Sequence, residues 1–316
     1  MVGLNPTLQK TLRFSSITPD TVNRTDTHRL DTAGKGINTS RVLTQLGKKT
    51  VYLCQLGGEM RPLFLSLCGQ DSLPVEWVES SSQIRFCYTL INDSDSTVTE
   101  LVEEAEPVEA GTERRLLEKY DSLLPEKPVS RSRQGYEYLI VCGTKAAGFS
   151  DTLIPLMVRK AKERGLKVIL DLRGKDLSES LQYEPDIIKP NLYEFASTFA
   201  PDLVKKNELI DIEDANNNES PVKKQIKALA LDICKKHNCR IVLTRGGKKI
   251  WAAAGEDFFE TDVPVVKPVN TTGCGDVFTS GLAAALGDGK SFSEAIAEGT
   301  RCATLNAGLF RLGVIY

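Results

Sequence analysis

VNTTGCGDVFTSGLAAAL, residues 269–286, joins a polar lead-in to two glycines, one acid and a run of small residues. Small and apolar residues recur at helical spacing after Gly275, so a helix is expected to begin here. Glycine lets backbone N–H groups approach a ligand closely, and the N-terminus of a helix favours an anion. The stretch therefore predicts an anion-binding turn at the start of a helix.

Asp276 is the single acid of this stretch. A carboxylate at the start of a helix can cap the helix or complement its dipole. Beside an anion-binding turn it can also take a proton from a hydroxyl group that attacks a phosphate held by the turn. The residues alone leave both interpretations open, and the second would place base, nucleophile and charge stabiliser within one helical turn.

The composition is that of an ordinary globular protein. The 316 residues allow one large α/β domain or two smaller ones, and the net charge of −2 gives no indication of nucleic acid or an anionic membrane. No apolar run approaches the roughly 18 residues that span a bilayer, and MVGLNPTLQK lacks the pattern of a secretion signal, so we expect a cytoplasmic protein. Most of the eight cysteines lie in apolar runs and are expected to be small buried hydrophobic residues.

Apolar, β-branched runs alternate with helical patterns from residue 138 onward, as in YLIVCG, KVILDL and RIVLTRGG. This alternation predicts a parallel sheet covered on both faces by helices. Shorter alternating runs within residues 7–35 and 84–106, the second a hairpin around Asn92–Ser96, predict a small additional sheet. The polar segment DIEDANNNESPV, residues 211–222, predicts a mobile surface loop. We expect one α/β domain over residues 1–316.

Glycine or polar residues follow several predicted strands, as in CGT (142–144), KPN (189–191) and TRGG (244–247). Ligands of open α/β sheets bind at these strand ends. GDGKS at residues 287–291 is not a P-loop, because Ala284 stands where the first glycine is required, and no G-x-G-x-x-G follows a strand. The pattern favours phosphoryl transfer without a Walker A loop over binding of a nicotinamide cofactor.

Two segments far apart carry a family resemblance. Residues 271–276, with Gly281 downstream, resemble the C-terminal signature of the ribokinase-like (PfkB) carbohydrate kinases, and residues 33–38 resemble their N-terminal signature. The segments LNPTL, VNR, GKGIN, QLGG, IKPNLYE and GCGD occur in the expected order across nearly the whole chain. LNP and VNR are most similar to the phosphosugar branch, which comprises 1-phosphofructokinase and tagatose-6-phosphate kinase.

The resemblance implies a three-layer α/β/α fold with a mostly parallel sheet, and a small β-sheet lid that pairs in a homodimer. It implies that Asp276 is the catalytic base and that Gly273, Cys274 and Gly275 form the anion hole. The substrate-binding residues it implies are Gln9, Gly34, Lys35, Asn38 and Arg85, with Lys35 and Arg85 contacting a phosphate on the sugar. Those implied for the nucleotide are Asn191, Thr244, Gly246 and Asn306, with Glu194 binding Mg²⁺ through water.

Some of these residues also allow a simpler, purely structural interpretation. Lys35 could be solvated surface, and Arg85 an exposed strand residue. Asn191 and Glu194 are spaced as a helix capping box, which uses the same geometry as the magnesium role.

Several positions depart from the family pattern. Gln9 stands where the family has an aspartate that accepts hydrogen bonds from sugar hydroxyls; glutamine also accepts, but it is neutral and longer. Ala33 replaces the first glycine of the sugar signature, which is a mild change if its φ is negative. Cys274 replaces alanine or serine and keeps its backbone N–H. In the turn implied for the nucleotide, Arg245, Lys248 and Lys249 replace smaller residues and could bind phosphates or narrow the nucleotide pocket. The loop at residues 142–146 also differs from the family pattern.

The sequence thus predicts a Mg²⁺- and ATP-dependent kinase that phosphorylates a hydroxyl of a sugar phosphate. One alternative is a non-catalytic, regulatory protein that binds a sugar phosphate on the same fold, which Gln9 and the altered 142–146 loop motivate. Another is a kinase of a free sugar or a nucleoside, which Lys35 and Arg85 disfavour because they suit an anionic substrate. No nucleic acid or membrane partner is expected.

Overall fold

The chain forms two units, each with its own strands and helices. This computed structural model describes residues 1–125, 136–205, 208–209 and 220–316. The first unit comprises Met1–Lys119, Lys145–Phe149 and Val266–Tyr316, and the second comprises Tyr120–Thr144 and Ser150–Val265. Of the loop predicted over residues 211–222, residues 211–219 lie outside the described part of the chain. Pro221 and Val222 already belong to a helix, so the prediction was wrong there.

The described strands and helices follow one another along the chain. In order they are β1 (Thr7–Phe14), β2 (His28–Ala33), α1 (Lys35–Gln45), β3 (Tyr52–Gly57), α2 (Arg61–Gln70), β4 (Val75–Ser80), β5 (Arg85–Asn92), β6 (Thr97–Val102), α3 (Thr112–Leu123), β7 (Tyr138–Cys142), α4 (Leu153–Glu163), β8 (Lys167–Asp171), α5 (Gly174–Ser178), β9 (Ile187–Ile188), α6 (Leu192–Phe199), β10 (Val204–Lys205), β11 (Glu208–Leu209), α7 (Pro221–His237), β12 (Arg240–Leu243), β13 (Ile250–Ala254), β14 (Asp257–Thr261), α8 (Cys274–Gly287) and α9 (Phe292–Ala307).

A small four-stranded sheet in the first unit has the order β2-β1-β5-β6. β1 pairs with β2 antiparallel and with β5 parallel, and β5 and β6 form an antiparallel hairpin. The turn of this hairpin contains the polar residues 93–96, where Ser96 adopts a positive φ of 57°. The four strands therefore lie within the two predicted ranges, residues 7–35 and 84–106.

Helix α8 is the most deeply buried helix of the first unit, because every residue from Asp276 to Leu286 is buried. It packs against α1 on one side and against α9 on another. A helix that is apolar all round is stable only inside a core. A second core lies around β3, α1 and α2, with buried Leu8, Ile37, Tyr52 and Phe64.

The second unit contains a six-stranded sheet of order β14-β13-β12-β9-β8-β7, as far as this unit is described. β7, β8, β9 and β12 are parallel, whereas β13 and β14 add an antiparallel edge. The parallel strands are those that the alternating pattern predicted. In the first unit, β3 and β4 form a further parallel pair.

All eight cysteines lie in the described residues as free thiols, and seven are buried while Cys274 is half-buried. The prediction of buried, unbridged cysteines is confirmed for those seven. Within residues 1–125, 136–205 and 220–316, none of the helices combines the length and apolar character that crossing a bilayer requires.

Candidate active site

The glycine turn stands at the start of helix α8, where the sequence predicted that a helix begins. Gly273 is the N-cap residue and is left-handed, with φ 79° and ψ −3°, and Cys274 begins the helix. The Asp276 N–H donates to Gly273 O over 3.0 Å, and the Cys274 N–H makes a longer bond of 3.3 Å to Thr271 O. The turn therefore presents the N-terminus of a 14-residue helix, where partial positive charge accumulates.

Asp276 meets Asn38 directly. Asn38 Nδ2 donates to Asp276 Oδ2 over 2.8 Å, although the two residues are 238 positions apart. Asp276 is 6% exposed and Asn38 is 3% exposed. α1 and α8 are held together beside this bond, since the Ser280 hydroxyl lies within hydrogen-bond distance of two carbonyl oxygens, Asp276 O at 2.9 Å and Thr39 O at 3.1 Å. The two sequence signatures thus come together at one buried hydrogen bond.

The N-terminus of α1 lies in the same unit. Gly34 caps it with φ 99°, and a Cβ at this position would lie 3.3 Å from Asn5 O, so glycine is required there. Lys35 is the half-buried first residue of the helix. Ala33 ends β2 without a positive φ, so the replacement of the family glycine causes no backbone strain.

Gln9 lies on β1 and is 4% exposed. Its Nε2 donates to Thr89 Oγ1 on β5 over 2.7 Å, and its cross-strand neighbour on β2 is Asp31. Arg85 begins β5 as a half-buried residue, and its guanidinium donates to Glu103 O over 2.9 Å. The Arg85 Nε is buried and has no hydrogen-bond partner.

An arginine–aspartate cluster that was not predicted adjoins this region. Its members are Arg29, Asp31, Arg41, Asp71 and Arg311. Arg41 Nε donates to Asp71 Oδ2 over 2.8 Å, and Arg311 bonds both Asp71, at 2.6 Å, and Asp31, at 2.9 Å. Arg29 also pairs with Asp31 over 2.8 Å.

The ionisation of this cluster follows from its contacts. Burial acts to raise the pKa of Asp71, but the hydrogen bonds and charges of Arg311 and Arg41 outweigh it and lower that pKa. Burial lowers the pKa of Arg41, and the charge of Asp71 opposes that effect. The spacing of Arg41 could have indicated that it lies beside the site, because it follows Asn38 by three residues and hence lies on the same helix face. Asp71 and Arg311 are brought in only by the tertiary fold.

Asn306 lies at the other side of the glycine turn and is fully buried. Its Nδ2 lies 3.3 Å from both Thr272 O and Cys274 Sγ, and its Oδ1 accepts the Val314 N–H over 3.1 Å. Burial raises the pKa of the Cys274 thiol, so this side chain is a neutral neighbour of the turn at pH 7. Asn306 thus ties the turn to the C-terminal segment.

The second unit brings together three of the residues predicted for nucleotide and metal. Asn191 Oδ1 accepts the Glu194 N–H over 2.8 Å, and Glu194 Oε2 accepts the Asn191 N–H over 2.9 Å, which is a complete capping box for α6. Thr244 forms a bridge with Asn191 and accepts the Leu192 N–H over 3.0 Å. These residues therefore share the carboxyl ends of β9 and β12.

The turn after β12 contains Gly246, which has φ 62° and open space where a Cβ would point. The neighbouring Arg245 lies over the Trp251 ring at 4.1 Å, and burial lowers the pKa of its guanidinium. A buried ion pair of 3.0 Å between Lys189 and Asp171 joins the strand that precedes Asn191 to the end of β8. Sequence reasoning did not identify this pair.

Comparison with known proteins identifies the family. Residues 7–310 match the description "pfkB family carbohydrate kinase". The chain belongs to the pfkB family of carbohydrate kinases. As a pfkB kinase it is a phosphotransferase with an alcohol group as acceptor, and enzymes of this family use ATP as co-substrate. The resemblance seen in the sequence is thereby confirmed.

Relatives of this pfkB kinase include sugar-phosphate kinases. It is 24% identical to a tagatose-6-phosphate kinase of Staphylococcus epidermidis, over 96% of this chain and 90% of the relative. Phosphofructokinase-2 from Escherichia coli in complex with fructose-6-phosphate matches with a TM-score of 0.79 and 19% identity, covering 97% of this chain and 92% of the other. Ribokinase from Thermotoga maritima matches with a TM-score of 0.67 and 16% identity, covering 99% of this chain and 93% of the other. The fold is ribokinase-like, as predicted.

Proposed function

We propose that this pfkB kinase transfers the γ-phosphoryl group of ATP to a hydroxyl of a sugar phosphate, with Asp276 as the base. The observation that carries the proposal is the 2.8 Å hydrogen bond between Asn38 and Asp276. It holds a buried carboxylate in a fixed orientation at the N-terminus of α8. A fixed acceptor beside a site of partial positive charge suits a proton transfer that accompanies phosphoryl transfer.

The proposed step uses few groups. The substrate oxygen forms a bond to the γ-phosphorus, the bond from that phosphorus to the ADP oxygen breaks, and the hydroxyl proton goes to Asp276. The N–H groups of Gly273, Cys274 and Gly275 would stabilise the charge on the transferred group. Gly34 and Asn38 would position the sugar, and the Gln9 amide would contact one of its hydroxyls.

Two cations of the first unit support the proposed substrate class. Lys35 at the N-terminus of α1 and Arg85 at the start of β5 would bind a phosphate already on the sugar. The buried Nε of Arg85, which has no hydrogen-bond partner, is the kind of donor that a phosphate oxygen satisfies. The named activities of the relatives support the same class, because they are a tagatose-6-phosphate kinase and a phosphofructokinase.

Within the second unit, Asn191, Thr244 and Gly246 are the residues proposed to bind the nucleotide. Asn306, within the first unit, is also proposed as a nucleotide-binding residue. Mg²⁺ is a hard cation that prefers carboxylate and water oxygens, so the half-buried Glu194 carboxylate fits it. Glu194 would bind the ion through water, and the capping bond would keep its side chain oriented. The ion would supply neutralisation of the charge on the phosphates.

A homodimer through the small sheet is also proposed. β6 is an edge strand, and its Leu101 and Val102 are 52% and 53% exposed. An exposed apolar edge strand in a soluble protein is a liability that pairing with a second copy removes. In this proposal the sheet acts as the lid over the sugar.

The catalytic role of Asp276 is tested by Asp276→Asn, assayed by coupled ADP release with MgATP and tagatose or fructose phosphates. Loss of a positioned base costs about 10²–10⁴-fold in turnover, and we expect kcat to fall within that range while the unfolding midpoint changes little. The matched control is Asp288→Asn, at the exposed far end of the same helix. Comparable turnover in Asp276→Asn and the wild type would refute the assignment.

A further inference from the structure

Arg41 donates a hydrogen bond to the side chain of Asn38, and this bond bears on which end of the Asn38 amide faces Asp276. Arg41 is 1% exposed, and its NH1 donates to Asn38 Oδ1 over 3.2 Å. An asparagine side chain has one accepting end and one donating end, and the two can exchange by rotation about the last bond. Because a guanidinium can only donate, Arg41 selects the orientation in which the oxygen of Asn38 faces it. The NH₂ group then faces Asp276.

Arg41 itself has little freedom to move. Its Nε bonds Asp71, while its NH2 bonds Thr32 O over 2.6 Å and Thr32 Oγ1 over 3.0 Å. Three different nitrogens of the guanidinium thus contact three different residues, and this is the planar fork geometry that lysine lacks. Arg311 holds Asp71 from the other side.

The C-terminal segment closes around the same amide. Gly313 has φ 64°, and a Cβ at that position would lie 2.7 Å from Asn38 Oδ1. Gly273 approaches from the turn before α8, where a Cβ would lie 3.4 Å from Asn38 Nδ2. Both ends of the amide are therefore enclosed, so its orientation depends on its hydrogen-bond partners and not on solvent.

We propose that Arg41 is a positioning residue for the reaction. It fixes the Asn38 amide so that Nδ2 donates to Asp276 and holds that carboxylate towards the substrate hydroxyl. Without Arg41 the oxygen of the Asn38 amide loses the donor that fixes it, so the amide can rotate out of line with Asp276 and the carboxylate loses its fixed position. The inference rests on the proposed role of Asp276 as base.

The test is a double-mutant cycle with Arg41→Met, Asn38→Ala and the double variant, assayed by ADP release with MgATP and the best sugar phosphate. A hydrogen bond to a charged group corresponds to roughly a ten- to a hundredfold change in rate, so we expect Arg41→Met to lower kcat about tenfold. The KM values should change less than about threefold, since Arg41 would touch neither substrate. In the Asn38→Ala background, Arg41→Met should lower kcat less than about twofold further. Additive losses in the cycle would overturn the proposal.

Two further variants separate positioning from stability. Arg29→Met removes another cation of the cluster, which bonds Asp31 and makes no bond to Asn38 or Asp71, so it should lower the unfolding midpoint and leave kcat within about twofold. Arg41→Lys keeps the charge beside Asp71 and is expected to fold even if Arg41→Met does not. A single ammonium cannot reach Asp71, Thr32 and Asn38 together, so kcat should still fall several-fold. Wild-type kcat in a folded Arg41→Lys would contradict the proposal.

The outcome for Asp276→Asn distinguishes this inference from the proposed function. If that variant loses turnover and Arg41→Met does not, Arg41 has no positioning role and the proposed function stands. If Asp276→Asn retains turnover, the assignment of the base is wrong whatever Arg41 does.

Discussion

Gln9 is the residue where this pfkB kinase departs most clearly from its family, and its surroundings offer a physical reason. It is buried, donates to Thr89, and lies opposite Asp31 across the β1–β2 pair. Cross-strand neighbours on one face of a sheet are about 5 Å apart, so a carboxylate at position 9 would repel Asp31. A neutral glutamine avoids this repulsion and keeps an amide oxygen that can accept a hydrogen bond.

The isosteric change Gln9→Glu tests this account. It should lower the free energy of unfolding by about 1–3 kcal/mol, because it replaces a satisfied donor with a buried charge that faces another carboxylate. Urea denaturation measures the difference. Gln70→Glu at the exposed end of α2 is the matched control and should change stability by less than about 0.5 kcal/mol. Equal stability of Gln9→Glu and the wild type would contradict the account.

At the scale of elements, two glycines allow α8 and α9 to pack closely. A Cβ at Gly281 would lie 2.8 Å from Glu298 O and 2.9 Å from Gly299 Cα. A Cβ at Gly299 would lie 2.9 Å from Phe278 O. The contact is thus made by backbone against backbone, which holds the N-terminus of α8 and its glycine turn in place.

Gly281→Ala should therefore force α8 and α9 apart and destabilise the protein by about 1–3 kcal/mol, the usual cost of overpacking a core. Gly287→Ala is the control in the same helix, because nothing lies within 4 Å of its Cβ position. This control should be neutral or more stable by up to about 1 kcal/mol, since alanine favours the helix. Thermal unfolding of both variants checks the prediction, and equal midpoints would contradict it.

Helices and strands whose apolar residues recur with a clear period could be predicted from the sequence, and those without such a period could not. α1, α4 and the parallel strands follow from apolar spacing and from the glycines that end them. β13 reads IWAAA, a short apolar run that period alone cannot assign to strand or helix. The two signatures assign Asn38 to the substrate and Asp276 to catalysis but do not predict the hydrogen bond between them, and the arginine–aspartate cluster depends on residues that the fold alone brings together.

At the scale of the whole molecule, the predicted site residues divide between the two units. Those implied for the sugar and for catalysis belong to the first unit, whereas Asn191, Glu194, Thr244 and Gly246 belong to the second. The exposed Leu101 and Val102 on β6 lie at the edge of the small sheet in the first unit. They are the surface that the proposed homodimer would cover.

Leu101→Glu should convert a dimer into a monomer, because it places a charge in an apolar interface. Light scattering at micromolar concentration measures the mass. Leu63→Glu on α2 is the control, as Leu63 is also an exposed leucine, at 38%, but lies outside the small sheet. The wild type and this control should both be dimers, and a monomeric wild type would contradict the proposed interface.

A phosphate already on the sugar distinguishes the proposed substrates from free sugars, and a comparison of the two kinds of sugar tests whether this kinase requires it. The measurement compares kcat/KM, with MgATP, for fructose 1-phosphate, fructose 6-phosphate and tagatose 6-phosphate with the values for the corresponding free sugars. We predict that kcat/KM for one phosphosugar exceeds kcat/KM for its free sugar by at least about 10²-fold. Arg85→Met should bring the two values much closer together, because a charge-assisted contact to the phosphate is lost. Turnover of a free sugar or nucleoside alone would contradict the phosphosugar assignment, and binding of a sugar phosphate without turnover would contradict catalysis.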